Sequence, residues 1–564
     1  MNVATSNNGP VKKDSGLTGP AENVAAAFLA NARMTPDSLF LRMNFGTQTT
    51  DYTYRELASE ACLFNGHFRR AGLPQGSVIA IILTHSVHLY TAFLGALMAG
   101  LVPTIMPYPT PKQDRARYWQ AHRELFELSK IGAVFTYAAN VADIRKYLAG
   151  CVTYLSTAED LAGCEPSEKI IHCNLAVLQH SSGTTALKKG VMLTHAAIFA
   201  QVSAYRNAIK LEPGARIASW LPLYHDMGFV ACFLMPMIVG CPVVHLDPFI
   251  WSARPTILLD DIVSFGANYV WLPNFAYNHI ANSLRGTKSW DLSAIQAIIN
   301  CSEPCKPATF ERFRTLAPLN NLKPQALQVC YAMAENVFAV SQTDLAAIPR
   351  TIHVSTASLR NGDTIVLAER DEDISPILSC GRPLAGTEVA VARDGVLDRT
   401  EMRLGEICIR GSNLYEGYYQ RPATTAQRLV EGWHHSGDVG FVCDGEVYVT
   451  GRLDDLLIVR GRNIYAHEIE EAINSLGLVI PGRAVALTDF ETTRGEATLV
   501  VMAEAEDTSL MKEIAAAARG LVMDQFGVSI SDFRLLPPLT LRKTTSGKLS
   551  RVANSELYSE LKRD

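Results

Sequence analysis

No stretch of this 564-residue chain is long and apolar without interruption. Two runs come near. Residues 91–106 are broken by Gly95, Gly100 and Pro103, and residues 229–246 by Pro236, Gly240 and Pro242. Each reads as a buried helix followed by a buried strand, and no membrane span is expected. A dominant charge is missing too: the net charge is -5 and the pI is near 6.3. That gives no electrostatic case for nucleic acid or an anionic membrane as partner. The 12 cysteines are scattered with no C-x-x-C pair, and Cys301 and Cys305 have no second pair nearby to build a zinc site. Free, mostly buried thiols in a reducing cytosol are the expectation. Residues 1–20 are polar and lack the apolar centre of a signal peptide, so they read as a disordered lead-in to a soluble, cytoplasmic protein. Internal repeats and long low-complexity tracts are absent.

What is present is a globular composition, 48% hydrophobic and 19% charged, in a chain too long for one core. From about residue 21 to 450, helical patterns alternate with short apolar strands such as 78–83 then 88–99, and 217–221 then 229–239. This alternation predicts an α/β architecture with largely parallel sheets. Between 387 and 449 the texture changes to short alternating segments divided by Gly and Asp, which predicts a small β subdomain. The charged turn Gly451-Arg452-Leu453-Asp454-Asp455 follows. Beyond it, strand and helix patterns suffice for a small α+β domain. The expected divisions are 1–20, an N-terminal domain over 21–453, and a C-terminal domain over 454–564.

Five segments carry candidate chemistry. In the run from His180 to Gly190, Ser181, Ser182, Thr184 and Thr185 crowd around Gly183, and Lys188 and Lys189 close it. A hydroxyl- and glycine-rich loop between apolar segments can aim N–H and O–H groups at phosphate oxygens while lysines add charge. The pattern G-x-x-x-x-G-K-S/T cannot be laid over it. His225 and Asp226, in WLPLYHDMG, stand where an apolar strand gives way to an apolar helix. Tyr331 and Glu335 are an aromatic that could stack on a base and a carboxylate that could reach a magnesium ion bridging phosphates. Asp438, in Ser436-Gly437-Asp438, offers a carboxylate in a glycine turn that suits the two hydroxyls of a ribose. The basic run 543–551 contains Gly547-Lys548. Singly, each has a bland reading as a surface loop, a structural histidine, a solvated turn or a tail.

As an ordered set these segments resemble the acyl-adenylate-forming superfamily of acyl-CoA ligases, peptide-synthetase adenylation domains, luciferases and fatty acyl-AMP ligases. Several stretches look like the fatty acyl-AMP ligases in particular: WLPLYHDMG at 220–228, Pro273-Asn274-Phe275-Ala276-Tyr277, and the strand after Asp455. The 45 residues between Glu335 and Gly381 exceed what CoA ligases typically need, and fatty acyl-AMP ligases carry an insertion there, placed here near 343–378.

The resemblance implies an ATP- and magnesium-dependent ligase. It would activate a fatty acid to acyl-AMP with release of pyrophosphate, then load the acyl group onto the phosphopantetheine thiol of an acyl carrier protein. It implies that Ser181, Ser182, Gly183, Thr184, Thr185 and Lys189 wrap the phosphates. Tyr331, Ala332 and Met333 would line the adenine, with Ser302, Glu303 and Pro304 in the wall beside it. Asp438 would hold the ribose, Arg452 would contact the nucleotide, and Asp454 would be the hinge. Lys548, Glu335 and His225 are the implied catalytic residues, Glu335 also holding Mg2+. His225, Asp226, Asn274 and Phe275 would face the acid.

The chemistry accounts for these residue types, because a carboxylate attacking the α-phosphate needs cations to screen two anions. The mixed anhydride product must then be kept from water. Two departures stand out: Ala332 stands where the family usually has Tyr-Gly, and Ala186 and Lys188 occupy positions where the family loop has glycine and proline. Alanine at a position needing φ > 0 would be strained, so either that backbone is not left-handed or the loop has shifted. Three rival readings remain: a CoA ligase, activation of an amino acid or other polar acid, and a non-catalytic acyl- or carrier-binding protein.

Overall fold

The computed structural model describes residues 23–110, 115–180, 189–284, 288–316, 318–361, 363–368, 374–459, 462–491, 496–543 and 549–562. Its largest sheet has nine strands. From one edge they are Arg382–Pro383, Ala339–Gln342, Leu327–Ala332, Ala297–Asn300, Tyr269–Leu272, Ile217–Ser219, Val243–Leu246, Leu39–Asn44 and Thr49–Thr53. The run from Leu327–Ala332 to Leu39–Asn44 is parallel, and antiparallel strands close both edges. Parallel strands covered on both faces need continuous apolar runs, and Tyr269–Leu272 is buried at every position. A second, all-parallel sheet has the order Val102–Ile105, Val78–Ile82, Ala133–Thr136, Tyr154–Ser156.

The expected α/β class is therefore observed. Both apolar runs fold as a buried helix and then a buried strand: His88–Met98 before Val102–Ile105, and Met227–Val239 before Val243–Leu246. The first half of the second helix, Met227–Leu234, winds as a π-helix rather than an α-helix. Gly228 opens it, where an added Cβ would lie 2.5 Å from the Pro222 carbonyl oxygen. No helix among the described residues is long and apolar enough to cross a membrane. All 12 cysteines are free, and most are buried.

Two smaller sheets frame the site. Leu175–His180 and Gly190–Thr194 form an antiparallel pair whose strands flank the hydroxyl-rich segment. The expected β subdomain is a six-stranded sheet containing Thr387–Arg393, Gly405–Gly411, Trp433–Cys443 and Glu446–Arg452. Beyond Asp455, a hairpin (Leu456–Val459 with Arg462–Tyr465) precedes the sheet Ala484–Glu491, Glu496–Glu504, Ile530–Leu536. Helices Ala466–Ser475 and Met511–Phe526 help bury a core from Leu457 to Leu535 that is distinct from the main one.

Between Glu335 and Gly381, strands Thr351–Ser355 and Ile374–Leu378 pair around helix Thr356–Asn361. The guanidinium of Arg360 in that helix lies 5.5 Å from the Phe526 ring centroid, so this segment touches the C-terminal core.

Candidate active site

Glu335 sits in a 3₁₀ turn, 334–336, directly after strand Leu327–Ala332. The next residue, Val337, has φ 59° and ψ -53°, and the Phe338 amide donates to the Asn336 carbonyl at 2.6 Å. A γ-turn on a β-branched residue costs on the order of 1–3 kcal/mol. Complete burial of Val337 and Phe338 holds it in place. Glu335 Oε1 accepts from the Tyr418 hydroxyl at 2.8 Å, and the Tyr415 amide donates to the Glu335 carbonyl at 2.9 Å.

Lys189 Nζ stands 5.1 Å over the Tyr418 ring, so one aromatic joins the expected magnesium carboxylate to the expected phosphate lysine. Segment 415–419 is pinned to the 175–194 strand pair: Met192 N donates to Gly417 O at 3.0 Å and Tyr419 N to Gly190 O at 2.8 Å. Burial, reinforced by Arg428, lowers the Lys189 pKa, while Glu335 opposes the shift.

Asp438 lies beside this group. The sequence places it in a solvated glycine turn; instead Ser436, Gly437 and Asp438 belong to the long strand Trp433–Cys443, with Gly437 at φ 77° in a local irregularity. Cross-strand pairing with Gly405–Gly411 and Glu446–Arg452 outweighs the turn tendency of the glycine. Asp438 Oδ2 accepts from the Tyr331 hydroxyl at 2.6 Å, and Oδ1 is 3.0 Å from Arg452 Nε, its register partner. Burial raises the Asp438 pKa and Glu335 adds to the rise, while Arg452 and the Tyr331 hydrogen bond oppose it. Arg452 is thus engaged with the carboxylate itself.

The residues expected beside the adenine follow the strand ends. Ser302 has φ 69°, and Pro304 is exposed. Glu303 Oε2 accepts from the Phe275 amide at 3.1 Å. Ala332 and Met333 are half-buried next to Tyr331.

The residues expected to face the acid are placed as follows. His225 Nδ1 is 2.6 Å from Asp226 Oδ1, which also caps the helix by accepting from Met227 N at 2.8 Å. Gln179 Nε2 donates to Tyr224 O at 3.3 Å, joining the strand before the hydroxyl-rich loop to the His225 segment. Asn274 Oδ1 accepts from Asn300 Nδ2 at 2.9 Å. Phe275 is 48% exposed and sets its edge against Trp220 and Trp251, which stack with centroids 3.5 Å apart.

Asp454 lies in the 3₁₀ turn 453–455, and its neighbour Asp455 holds Arg551 (Nε–Oδ1 3.4 Å). Arg551 in turn reaches Glu470 Oε2 at 3.2 Å. Lys306 and Glu471 form an ion pair between the segment after Pro304 and helix Ala466–Ser475.

Lys189, Glu335, Tyr331, Asp438 and Arg452 therefore fall in one neighbourhood, while His225 pairs with Asp226, Asn274 meets Asn300, and Phe275 meets the Trp220–Trp251 stack. Ser181, Ser182, Gly183, Thr184, Thr185, Ala186, Lys188 and Lys548 lie outside the described residues. Tyr418, Arg428 and Arg551 went unrecognised in the sequence. For Tyr418 a signal existed, since Leu414-Tyr415-Glu416-Gly417-Tyr418-Tyr419 packs three tyrosines around a glycine.

A large layered α/β body, a small β sheet and a compact α+β C-terminal unit, with two buried tyrosine–carboxylate pairs where they converge, define the fold of adenylate-forming enzymes. The solved structure of the fatty acyl-adenylate ligases from E. coli and L. pneumophila superimposes with a TM-score of 0.87 at 24% identity, covering 96% of this chain and 98% of that one. The model of the AMP-binding enzyme family matches residues 28–419, and the chain belongs to that family. Long-chain-fatty-acid--AMP ligase FadD26 of Mycobacterium bovis is 28% identical, over 95% of this chain and 97% of its own length. Putative fatty-acid--CoA ligase fadD25 of Mycobacterium tuberculosis is 31% identical, over 69% and 70% respectively.

Proposed function

We propose that this protein activates a long-chain fatty acid with ATP, forming acyl-AMP and pyrophosphate. It then passes the acyl group to the phosphopantetheine thiol of an acyl carrier protein. The observation that carries the reading is the convergence of Glu335 and Lys189 on Tyr418, beside Asp438 held by Tyr331 and Arg452. The near full-length similarity to FadD26 supports the fatty acid as substrate.

Glu335, a half-buried carboxylate fixed by one tyrosine hydroxyl, fits Mg2+, which when bound would supply charge neutralisation at the phosphates. Lys189 adds positive charge on the same side. Asp438 accepts hydrogen bonds from the ribose, and Tyr331 bounds the adenine. Lys548 screens the incoming carboxylate and the α-phosphate as they approach, the electrostatic strategy phosphoryl centres require. Residues 454–564 turn about Asp454 after adenylation and remove Lys548 from the site, so that a thiol can enter.

ATP–pyrophosphate exchange over a panel of carboxylic acids tests this reading. Exchange is expected with long-chain fatty acids, and Lys548→Ala lowers it about 10²–10³-fold, the scale for one transition-state donor. No exchange with any acid refutes the reading and favours a binding protein. The similarity to a putative CoA ligase keeps one alternative acceptor in play. Product analysis with CoA against a phosphopantetheinylated carrier protein decides between them, and acyl-CoA as the main product refutes the carrier assignment.

A further inference from the structure

The strand Gly405–Gly411 carries Glu406 and Cys408 two residues apart, so both point to one face of the sheet. His435, on Trp433–Cys443, is the register partner of Cys408. The three side chains therefore converge. His435 Nδ1 is 3.1 Å from Glu406 Oε2 and 3.4 Å from Cys408 Sγ, and all three donor atoms lie within 4.8 Å of one another.

A tetrahedral zinc site with Zn–N, Zn–O and Zn–S bonds of ordinary length has ligand–ligand edges of about 3.3–3.6 Å, close to the two observed. Both contacts fall on the same ring nitrogen. A nucleophile–histidine–acid relay uses the two nitrogens separately, so the trio is not arranged as a catalytic triad. The other carboxylate oxygen, Oε1, is already oriented: Gly437 N donates to it at 2.8 Å and Arg428 Nη1 lies 3.4 Å away. Fixing one oxygen leaves the other aimed at the shared point, which is how outer-shell groups orient a metal ligand. Arg428 Nη1 also donates to the His435 carbonyl at 3.3 Å, so the guanidinium braces both residues.

We propose that Glu406, Cys408 and His435 form a zinc site, separate from the magnesium position at Glu335. A thiolate, an imidazole and a carboxylate suit zinc and disfavour magnesium, which takes oxygen ligands. Three protein ligands leave the fourth position to water. Binding replaces the Cys408 thiol proton, which passes to solvent, with a Zn–S bond. The ion clamps two strands just before Asp438: Ser436 Oγ donates to Ile407 O at 2.6 Å, and Asp438 N donates to Ser436 Oγ at 3.0 Å. Its role is therefore to fix the strand that presents the ribose carboxylate.

Cobalt titration tests the site without any reference to adenylation. The full-length reduced protein, in excess Mg2+, is titrated with Co2+. One equivalent is expected to give a thiolate-to-cobalt charge-transfer band and the strong visible bands of four-coordinate cobalt, both bleached by Zn2+. Cys408→Ser abolishes the charge-transfer band, whereas Cys151→Ser, in the turn before strand Tyr154–Ser156, retains it. His435→Gln lowers Co2+ affinity by at least about tenfold, the least that even outer-shell changes usually cost. Circular dichroism of the apo variants verifies that they fold. A wild-type protein without the charge-transfer band, or a band that survives in Cys408→Ser, overturns the proposal. Should Cys408→Ser fail to fold, the wild-type spectrum and the affinity of His435→Gln decide, and unchanged affinity in the latter refutes the site.

Discussion

Replacing Arg452 by methionine removes a guanidinium from the Asp438 carboxylate while keeping most of the stem. The two side chains are 38% and 18% exposed, at 3.0 Å. Exposed pairs contribute about 0–1 kcal/mol, and removing one partner of a fully buried pair costs about 3–5 kcal/mol. With one partner over a third exposed, the expected loss is about 2 kcal/mol. Asp438→Asn keeps an acceptor for the Tyr331 hydroxyl, so a cycle of the two substitutions isolates their interaction. Urea denaturation of the four proteins should return a coupling of about 1–2 kcal/mol.

The same four proteins carry a second readout, AMP affinity. On the reading that Arg452 acts on the nucleotide through Asp438, the double variant should bind no worse than Asp438→Asn alone. In Arg452→Met, burial and Glu335 are left pushing the Asp438 pKa upward without their main opponent. Asp438 then takes up its proton at a higher pH than in the unsubstituted protein, so AMP affinity should recover as pH rises and the acceptor form returns. A coupling below about 0.5 kcal/mol, together with additive losses of affinity, would show that Arg452 meets the nucleotide on its own and refute the reasoning.

Tyr418→Phe keeps the ring beneath Lys189 and removes the hydroxyl donated to Glu335. Loss of a hydrogen bond to a charged group, about 1.5–3 kcal/mol, should lower kcat/KM for ATP about tenfold or more, and unchanged steady-state kinetics would dismiss the link. Arg551→Gln leaves Asp455 and Glu470 facing each other, and burial already lifts Glu470 to about 7 with Arg551 in place. Glu470 is neutralised at low pH, so the loss of stability should be larger near about pH 8 than near about pH 6; equal losses in urea would count against it.

Burial lowers His85, His195 and His434 to about 4, His245 to about 3 and His467 to about 4. Between about 6.5 and 4 the unfolded chain binds more protons at these sites, so stability is retained above pH 6.5 and falls as pH drops through the window. The slope is at most about 1.4 kcal/mol per pH unit for each group. Asp261, raised to about 6, and Glu470 oppose this but are outnumbered. A urea midpoint no lower at about pH 5 than at about pH 7 would contradict the account.

Much of the architecture was legible because the determining signals are local. The apolar runs at 91–106 and 229–246 contain their own breakers, and each became a helix and a strand, with the break at Gly100 in the first and at Gly240 and Pro242 in the second; Gly95, Pro103 and Pro236 lie inside the elements. The order of Glu335, Asp438 and Arg452 along the chain was also legible. What joins them was not. Tyr418 meets Glu335 across 83 positions and Tyr331 meets Asp438 across 107, contacts set by sheet register and not by spacing. The Ser-Gly-Asp segment misled for a related reason: a glycine that signals a turn in isolation can instead relax one point of a long strand when both neighbouring strands supply hydrogen bonds. The π-wound start of helix Met227–Leu234 has no periodic signature in eight apolar residues.

The separate core from Leu457 to Leu535 has a thermodynamic consequence. Two cores joined by one short turn and a few surface contacts need not melt together, so each urea midpoint belongs to one body: Arg452 and Asp438 report the larger, Arg551 and Glu470 the C-terminal one. Once residues 454–564 have carried Lys548 out of the site, AMP bound between Glu335 and Asp438 would touch only the larger body. At a hundredfold excess over its Kd it would raise that body's stability by about 2.7 kcal/mol and leave the C-terminal core where it was. Ligand would thus spread the two unfolding events apart, and the distance between them would report how firmly the two bodies are fastened.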